Sequence, residues 1–191
     1  MMDNAAQENR TYTRIDYSEK KVPAGVYDNC LFVNCNFSKS DLSYIDFVDC
    51  TFKDCDFSMV KFNDTALKNA TFSACKMLGV DFTKCRDFLL SFYFEKCTLD
   101  YSSFQNKKVK KTIFKECSVK EVDFSAADLS ASDFLSCDLS RAVFRNTILE
   151  KVDFRSARNY SIDLEKNRIQ KAKFSSAGII GLLDKYKIII E

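Results

Sequence analysis

Nine cysteines, 27 carboxylates and 29 basic side chains are the groups in this 191-residue chain that could do chemistry, and no histidine stands among them. A thiolate can attack a carbonyl, hold zinc or close a disulfide, but each of these roles needs particular neighbours. Nucleophilic attack asks for an adjacent base, most often imidazole, and a catalytic zinc usually counts histidine among its ligands. The lack of histidine therefore excludes the Ser/His triad, the imidazole general base and most catalytic zinc sites. The cysteines, Cys30, Cys35, Cys50, Cys55, Cys75, Cys85, Cys97, Cys117 and Cys137, contain no C-x-x-C pair, and their odd number argues against a disulfide framework.

The elements that must carry these side chains follow from a period of five. Large apolar residues run Phe32, Phe37, Leu42, Phe47, Phe52, Phe57, Phe62, Leu67, Phe72, Met77 and Phe82 without a miss. A second run, two residues out of phase, goes Phe94, Leu99, Phe104, Val109, Phe114, Val119, Phe124, Leu129, Phe134, Leu139, Phe144, Leu149 and Phe154, then resumes with Leu164, Ile169 and Phe174 after a gap at Asn159. Five fits neither the helical period of 3.6 nor the alternation of a strand. Two positions before each large residue lies a small one, such as Ser40, Thr65, Ala70, Ser102, Ala127 or Thr147, and all nine cysteines fall in this slot. Asp or Asn often stands between the two, as at Asn36, Asp41, Asp56, Asp123 and Asp138, so the carboxylates recur as part of the unit rather than as an acid/base pair.

Stretches such as AADLS, CNFSKSDLSYIDF and CDLSRAVF resemble the pentapeptide-repeat family, over about residues 28 to 174. The resemblance implies an all-β fold, a right-handed quadrilateral β-helix. Four pentapeptides would make one square coil, with the large and the small residue both pointing inward. Such a solenoid is stable only by stacking coil on coil. Residues twenty apart would lie roughly 4.8 Å apart. One aromatic column would be Phe94, Phe114, Phe134, Phe154 and Phe174; another Phe104, Phe124 and Phe144, continuing to Leu164. The thiols would form ladders of Cys35, Cys55 and Cys75, of Cys97, Cys117 and Cys137, and of Cys30 over Cys50. A ladder can be read as metal ligands or disulfides, or as small buried hydrophobes; the second reading fits all nine slots and reduced thiols.

The domain boundaries follow the pattern: 1–25 as an N-terminal tail and capping segment, 26–176 as the β-helix with a phase slip at 85–93, and 177–191 as a helix-strand cap and dimerisation element. At the slip, DFTKCRDFLLSFYF crowds apolar groups together and predicts a bulge or outward loop. It is either a packed corner or a patch that leaves Phe88, Leu89, Phe92 or Tyr93 open to a partner. Lys107 occupies an inward slot within NKKVKK, so its charge must snorkel or the coil must deform; the basic run reads as a solvated face rather than a phosphate site. Beyond residue 177, Ile179, Leu182, Leu183 and Tyr186 follow i, i+3, i+4, i+7 and predict a short amphipathic helix, with Lys187–Glu191 as a terminal strand. The LLDKYKIIIE ending resembles the quinolone-resistance (Qnr) subgroup, where this element joins two rods end to end. By that resemblance Ile179, Ile180, Leu182, Leu183, Tyr186, Ile188 and Ile190 would form a dimer interface, although a monomeric cap also fits.

Residues 1–100 hold 12 basic and 15 acidic side chains and residues 101–191 hold 17 and 12, for a net charge of +2. That balance names no partner. The opening MMDNAAQENR has no apolar core of a signal peptide, and the cytoplasm is the expected compartment. No catalytic residue, metal, cofactor, small-molecule substrate, membrane or direct nucleic acid is expected. The expected function is that of a non-enzymatic rigid rod for protein–protein interaction. The alternative, implied by the Qnr resemblance, is a dimeric mimic of duplex DNA that docks on DNA gyrase or topoisomerase IV and protects them from quinolones. The acidic stretch 28–64, with seven acidic and three basic residues, suits the alternative; the overall charge does not.

Overall fold

A chain that turns inward at every fifth residue must bend between those residues, and the backbone bends through left-handed positions. Two residues after most of the large side chains φ is positive, as at Asn34 (54°), Asp54 (54°), Asn69 (51°), Lys111 (57°) and Lys151 (61°). Asn and Asp tolerate this region better than other L-residues, which accounts for part of the polar bias at that position. The Asp or Asn before the large residue acts differently, since its carboxyl or amide oxygen accepts from the backbone N–H two residues on. Asp41 takes that bond from Ser43 at 3.0 Å, Asp56 from Ser58 at 2.8 Å and Asp123 from Ser125 at 2.8 Å. These Asx turns pre-shape each corner.

The computed structural model describes residues 6–189. It is the right-handed quadrilateral β-helix implied by the repeat, with flat coils paired in parallel. One four-stranded sheet stacks Gln7–Glu8, Val26–Asp28, Asp46–Val48 and Ala66–Lys68. A seven-stranded sheet stacks Thr11–Thr13, Leu31–Val33, Thr51–Lys53, Ala70–Ser73, Phe92–Glu95, Ile113–Lys115 and Asp133–Leu135. Register advances by one coil at Phe32↔Phe52 and Phe52↔Phe72, then Phe72↔Phe94, then Phe94↔Phe114. The two extra residues of the slip are thus taken up between Phe72 and Phe94.

The core is the inside of this square tube. Phe94, Phe114, Phe134, Phe154 and Phe174 stack with successive centroids 5.2, 4.7, 5.2 and 5.4 Å apart, and the column runs back through Phe72, Phe52 and Phe32 to Tyr12. Phe104, Phe124 and Phe144 stack at 5.4 and 5.3 Å in the second column, which runs back through Phe82 and Phe62 at 4.3 and 5.9 Å. Leu164 does not continue it; its side chain is exposed, because no further coil closes over that corner.

The small slot is a hydrogen-bonding position as well as a space-saving one. Thr65 Oγ1 donates to the Leu42 carbonyl of the preceding coil at 2.8 Å, Thr147 Oγ1 to Phe124 at 2.9 Å, Cys50 Sγ to Tyr27 at 3.2 Å and Cys137 Sγ to Phe114 at 3.3 Å. Ser, Thr and Cys share small size with one donor, which makes them interchangeable here.

The coil also reaches further towards the N-terminus than the sequence boundary at 25. Gln7 pairs with Tyr27 and Thr11–Thr13 with Leu31–Val33, while Tyr12 and Tyr17 stack on Phe32 and Phe37 at 4.7 and 4.9 Å. Tyrosine fills the large slot as phenylalanine does, with its hydroxyl free to reach a polar group at the rim, as Tyr12 does to Gln7. At the other end Ala177–Ile179, Ile180–Leu183 and Asp184–Tyr186 form a short helical cap. Lys187–Ile189 form no strand, and Ile190 and Glu191 lie outside the described residues.

Candidate interaction surfaces

Two features break the regular surface, the slip loop and the cap. The loop leaves the coil at Cys85 and returns at Leu90, whose backbone bridges Lys68 in the antiparallel sense, so the four-stranded sheet stops there. Arg86 ties its base to the rod by donating to the Asp64 carbonyl at 2.9 Å and pairing with the Asp46 carboxylate. Lys107 is buried at 6% exposure and fills the space beneath the loop, donating to the Cys85 carbonyl at 2.6 Å and to Asp87 at 2.7 Å. Its charge therefore neither snorkels to water nor sits unpaired; the deformed coil supplies its acceptors.

Of the four residues expected as a contact patch, Phe88 and Leu89 stand at the tip, 72% and 62% exposed. The Lys68 ammonium lies 5.8 Å from the Phe88 ring. Phe92 is different: it pairs with Ala70, occupies a small-residue slot and is buried at 6%. The outward loop has removed the large residue that would lie beside it, and the Phe92 ring takes that volume among Phe82, Phe94 and Phe104. Tyr93 sits half-buried in a strand between Thr71 and Ile113. Lys107 was recognisable in the sequence as a misfit; its partner Asp87 was not, because the pair exists only once the loop folds out.

The cap approaches the last coil through two glycines. A Cβ on Gly178 would stand 2.0 Å from the Tyr160 hydroxyl, and one on Gly181 2.1 Å from the Tyr160 carbonyl oxygen, so neither tolerates a side chain. Ser161 Oγ donates to Asp184 at 2.8 Å, Ile162 N–H to the Gly181 carbonyl at 3.0 Å, and Lys185 bridges Asp163 and Glu165 at 2.8 and 3.0 Å. Leu182 and Leu183 are half-buried, whereas Ile179, Ile180, Tyr186 and Ile188 face solvent. Ile190, also expected at a dimer interface, lies outside the described residues. An open cleft of about 740 Å³ separates cap and coil, lined by Arg141, Arg158, Tyr160, Ser161 and Ile180 among others.

The cysteines are all free and buried. Two of the three ladders expected from sequence are one: since Phe72 pairs with Phe94, Cys97 abuts Cys75, and the column runs Cys35, Cys55, Cys75, Cys97, Cys117, Cys137. Burial pushes the Cys50 and Cys85 thiols up to about 12, the opposite of the shift a nucleophile needs, whereas within the column hydrogen bonds from the neighbouring thiols Cys75 and Cys137 pull Cys55 and Cys117 down. Among the described residues no group of three or more Cys, Asp or Glu is placed to hold a metal, and no helix is long and apolar enough to cross a membrane. Desolvation opposes ionisation of Asp138, yet bonds from Ser140 and Asn159 hold its carboxyl down at about 2. Charges of opposite sign commonly face each other one coil apart, as in Lys76–Asp56, Lys115–Glu95, Lys120–Asp138 and Arg141–Glu121.

Square coils and inward columns define a parallel β-solenoid that presents faces and edges. The family model described as pentapeptide repeat region matches residues 27–104 and 87–158, and the chain belongs to the pentapeptide-repeat family. Among solved structures it is similar to full-length QnrB1, a plasmid-mediated fluoroquinolone resistance protein, with 18% identity and a TM-score of 0.62 over 96% of this chain and 100% of that one. It also matches HetL, a pentapeptide repeat protein involved in heterocyst differentiation regulation from the cyanobacterium Nostoc sp. strain PCC 7120, with 14% identity and a TM-score of 0.35 over 89% of this chain and 85% of that one. At these identities the likeness to QnrB1 is one of fold. No curated protein sequence matches the chain.

Proposed function

We propose that this chain is a rigid rod that works by binding another protein, without catalysis of its own, in the reducing setting of the cytoplasm. The observation that carries this reading is where the groups lie. The thiols point inward, while adjacent accessible apolar side chains stand together on an anchored loop tip, Phe88 and Leu89, and on the cap, with others such as Tyr44, Met59 and Tyr101 exposed singly along the rod. A tip braced by Arg86 and Lys107 has lost most of its freedom before any partner arrives, which lowers the entropic cost of docking. The cap residues Ile179, Ile180, Leu182, Leu183, Tyr186 and Ile188 join two copies end to end, covering the last open coil.

A second reading has the rod dock on DNA gyrase or topoisomerase IV in place of duplex DNA. The fold shared with QnrB1 over its whole length favours it. The charge pattern counts against it: within the acidic stretch 28–64, Asp46 and Asp64 are tied to Arg86 and Asp56 to Lys76, which breaks any continuous negative flank. A gyrase supercoiling assay with and without ciprofloxacin separates the two. No inhibition and no protection at micromolar protein removes the topoisomerase reading. Light scattering then reads the mass of the wild type against Ile180→Glu; a monomer in both cases removes the end-to-end dimer. Phe88→Ser with Leu89→Ser, in a fold of unchanged stability, is expected to release the partner; a complex that survives it removes the tip from the interface.

A further inference from the structure

In the C-terminal half many cations have a carboxylate partner one coil away, such as Lys110 with Asp128, Arg168 with Glu150 and Lys173 with Asp153. One corner departs from this. Lys111, Ala131, Lys151 and Lys171 stand in a single column at φ of 57°, 59°, 61° and 60°, so their side chains leave the rod in the same direction. The register of that face, Lys108↔Asp128, Asp128↔Ile148 and Ile148↔Arg168, places them in successive coils, roughly 14 Å from first to last. All three lysines are exposed, as is Lys108 beside them, and among the described residues none of the four lies within ion-pair reach of a carboxylate.

The same corner on the other side of the slip loop carries Asn9, Asn29, Asp49 and Asn69, which satisfy one another: Asn29 donates to Asn9 and Asn69 to Asp49, each at 2.7 Å. Asn and Asp suit a left-handed corner, and their ladder costs the fold nothing. Lysine is less suited to that backbone, and Lys151 and Lys171 set like charges one coil apart, which is unfavourable. The lysine column thus opposes local stability with no compensating contact inside the chain, and such local inconsistencies concentrate at functional surfaces.

We propose that this lysine edge docks an acidic, extended segment of a partner protein, a proposal that rests on the scaffold reading and names the partner's chemistry. Two observations favour a protein segment over nucleic acid. Asp128 and Glu150 beside the edge already pair with Lys110 and Arg168, so the unpaired positive charge is confined to a few separated lysines, far sparser than a duplex with one charge per about 1.7 Å. A peptide carries discrete carboxylates and can set them against lysines alone. The face also exposes no aromatic ring on which bases could stack. Ala131 leaves a gap between Lys111 and Lys151, with Ile148 half-buried alongside, where an apolar side chain of the segment fits.

The test is fluorescence anisotropy of a labelled glutamate-rich peptide containing leucine, titrated with the wild type and with the triple variant Lys111→Glu, Lys151→Glu, Lys171→Glu. Reversal of Lys53 and Lys61, exposed in the N-terminal half, is the control. The wild type and the control are expected to bind alike. The triple variant is expected to bind at least about tenfold more weakly, and raising salt from about 50 to 300 mM to weaken the wild type. Wild-type affinity in the triple variant, or no binding by the wild type at low salt, overturns the proposal. Tighter binding of a short DNA duplex than of the peptide also overturns it, by assigning the edge to nucleic acid. A triple lysine-to-glutamine variant keeps the test valid if the glutamates disturb folding. Should partner binding be lost on changing Phe88 and Leu89 but not on changing the lysines, the edge is refuted while the scaffold reading stands.

Discussion

Phe124 lies inside the second aromatic column, with a ring stacked on either side, and its replacement by alanine measures how much of the stability resides in stacking. The ring is fully buried, stacked against Phe104 at 5.4 Å and Phe144 at 5.3 Å, with Phe114 and Phe134 edge-on at 6.1 and 5.9 Å. Truncating a buried phenylalanine costs about 3–5 kcal/mol through lost transfer energy and the residual cavity. The close-packed coils above and below cannot collapse into the gap, and two stacked pairs, each worth about 0.5–1.5 kcal/mol beyond burial, are lost together. Phe124→Ala should therefore fall near the upper end, about 5 kcal/mol, against a total stability of about 5–15 kcal/mol for an ordinary domain. Phe144→Ala should cost less, about 3 kcal/mol, because Leu164 does not cover its outer side. Urea unfolding followed by circular dichroism gives both values, with Phe124→Leu as a volume-sparing control costing under about 1.5 kcal/mol. A loss below about 1.5 kcal/mol for Phe124→Ala, or a larger loss at Phe144, would falsify the claim that stacking between coils carries the fold.

Thr147→Val keeps the shape and deletes the donor to the Phe124 carbonyl, so unfolding should show a loss of about 1 kcal/mol, whereas Cys137→Ser retains a donor to Phe114 and should cost less. The folded-state carboxyl of Asp138 lies at about 2, below its unfolded value of about 3.9. Its ionised form thus stabilises the fold above about pH 4, a contribution lost as pH falls towards about 2. Asp138→Asn should flatten that limb of the stability–pH curve, and an unchanged limb would show that the carboxylate is not held by Ser140 and Asn159. Thiol titration should find the nine cysteines unreactive in the native protein and all nine reactive after denaturation, and rapid native labelling would contradict the inward column.

The repeat itself was legible because it is written in residue types. A large apolar side chain every fifth position, with a small one two places earlier, dictates an inward-turning coil, and coils twenty residues long must stack Phe114 on Phe134. The Asp and Asn positions were legible as a pattern, but not as acceptors for the backbone two residues on. Periodicity reports which residues share an environment and says nothing of which atoms meet. Tyr12 and Tyr17 match the period only loosely, interrupted by Pro23 and Gly25, so the sequence reads residues 1–25 as a tail leading into a capping coil; a tyrosine ring stacks as well as phenylalanine, and the pairing extends back to Gln7.

Where the period failed, only the three-dimensional fold could decide. Five large apolar side chains crowd the slip, and nothing local distinguishes Phe88 from Phe92; the second is buried because the chain looped out elsewhere and emptied a volume of its size. Lys107 and Asp87 lie twenty residues apart and become a pair through that same loop. The single six-thiol column depends on how two extra residues are absorbed, and the lysine edge on which corner four distant residues share. Each is set by the register between coils, a non-local quantity that no window of the sequence contains, whereas the inward turn at every fifth residue is local and is written into each repeat.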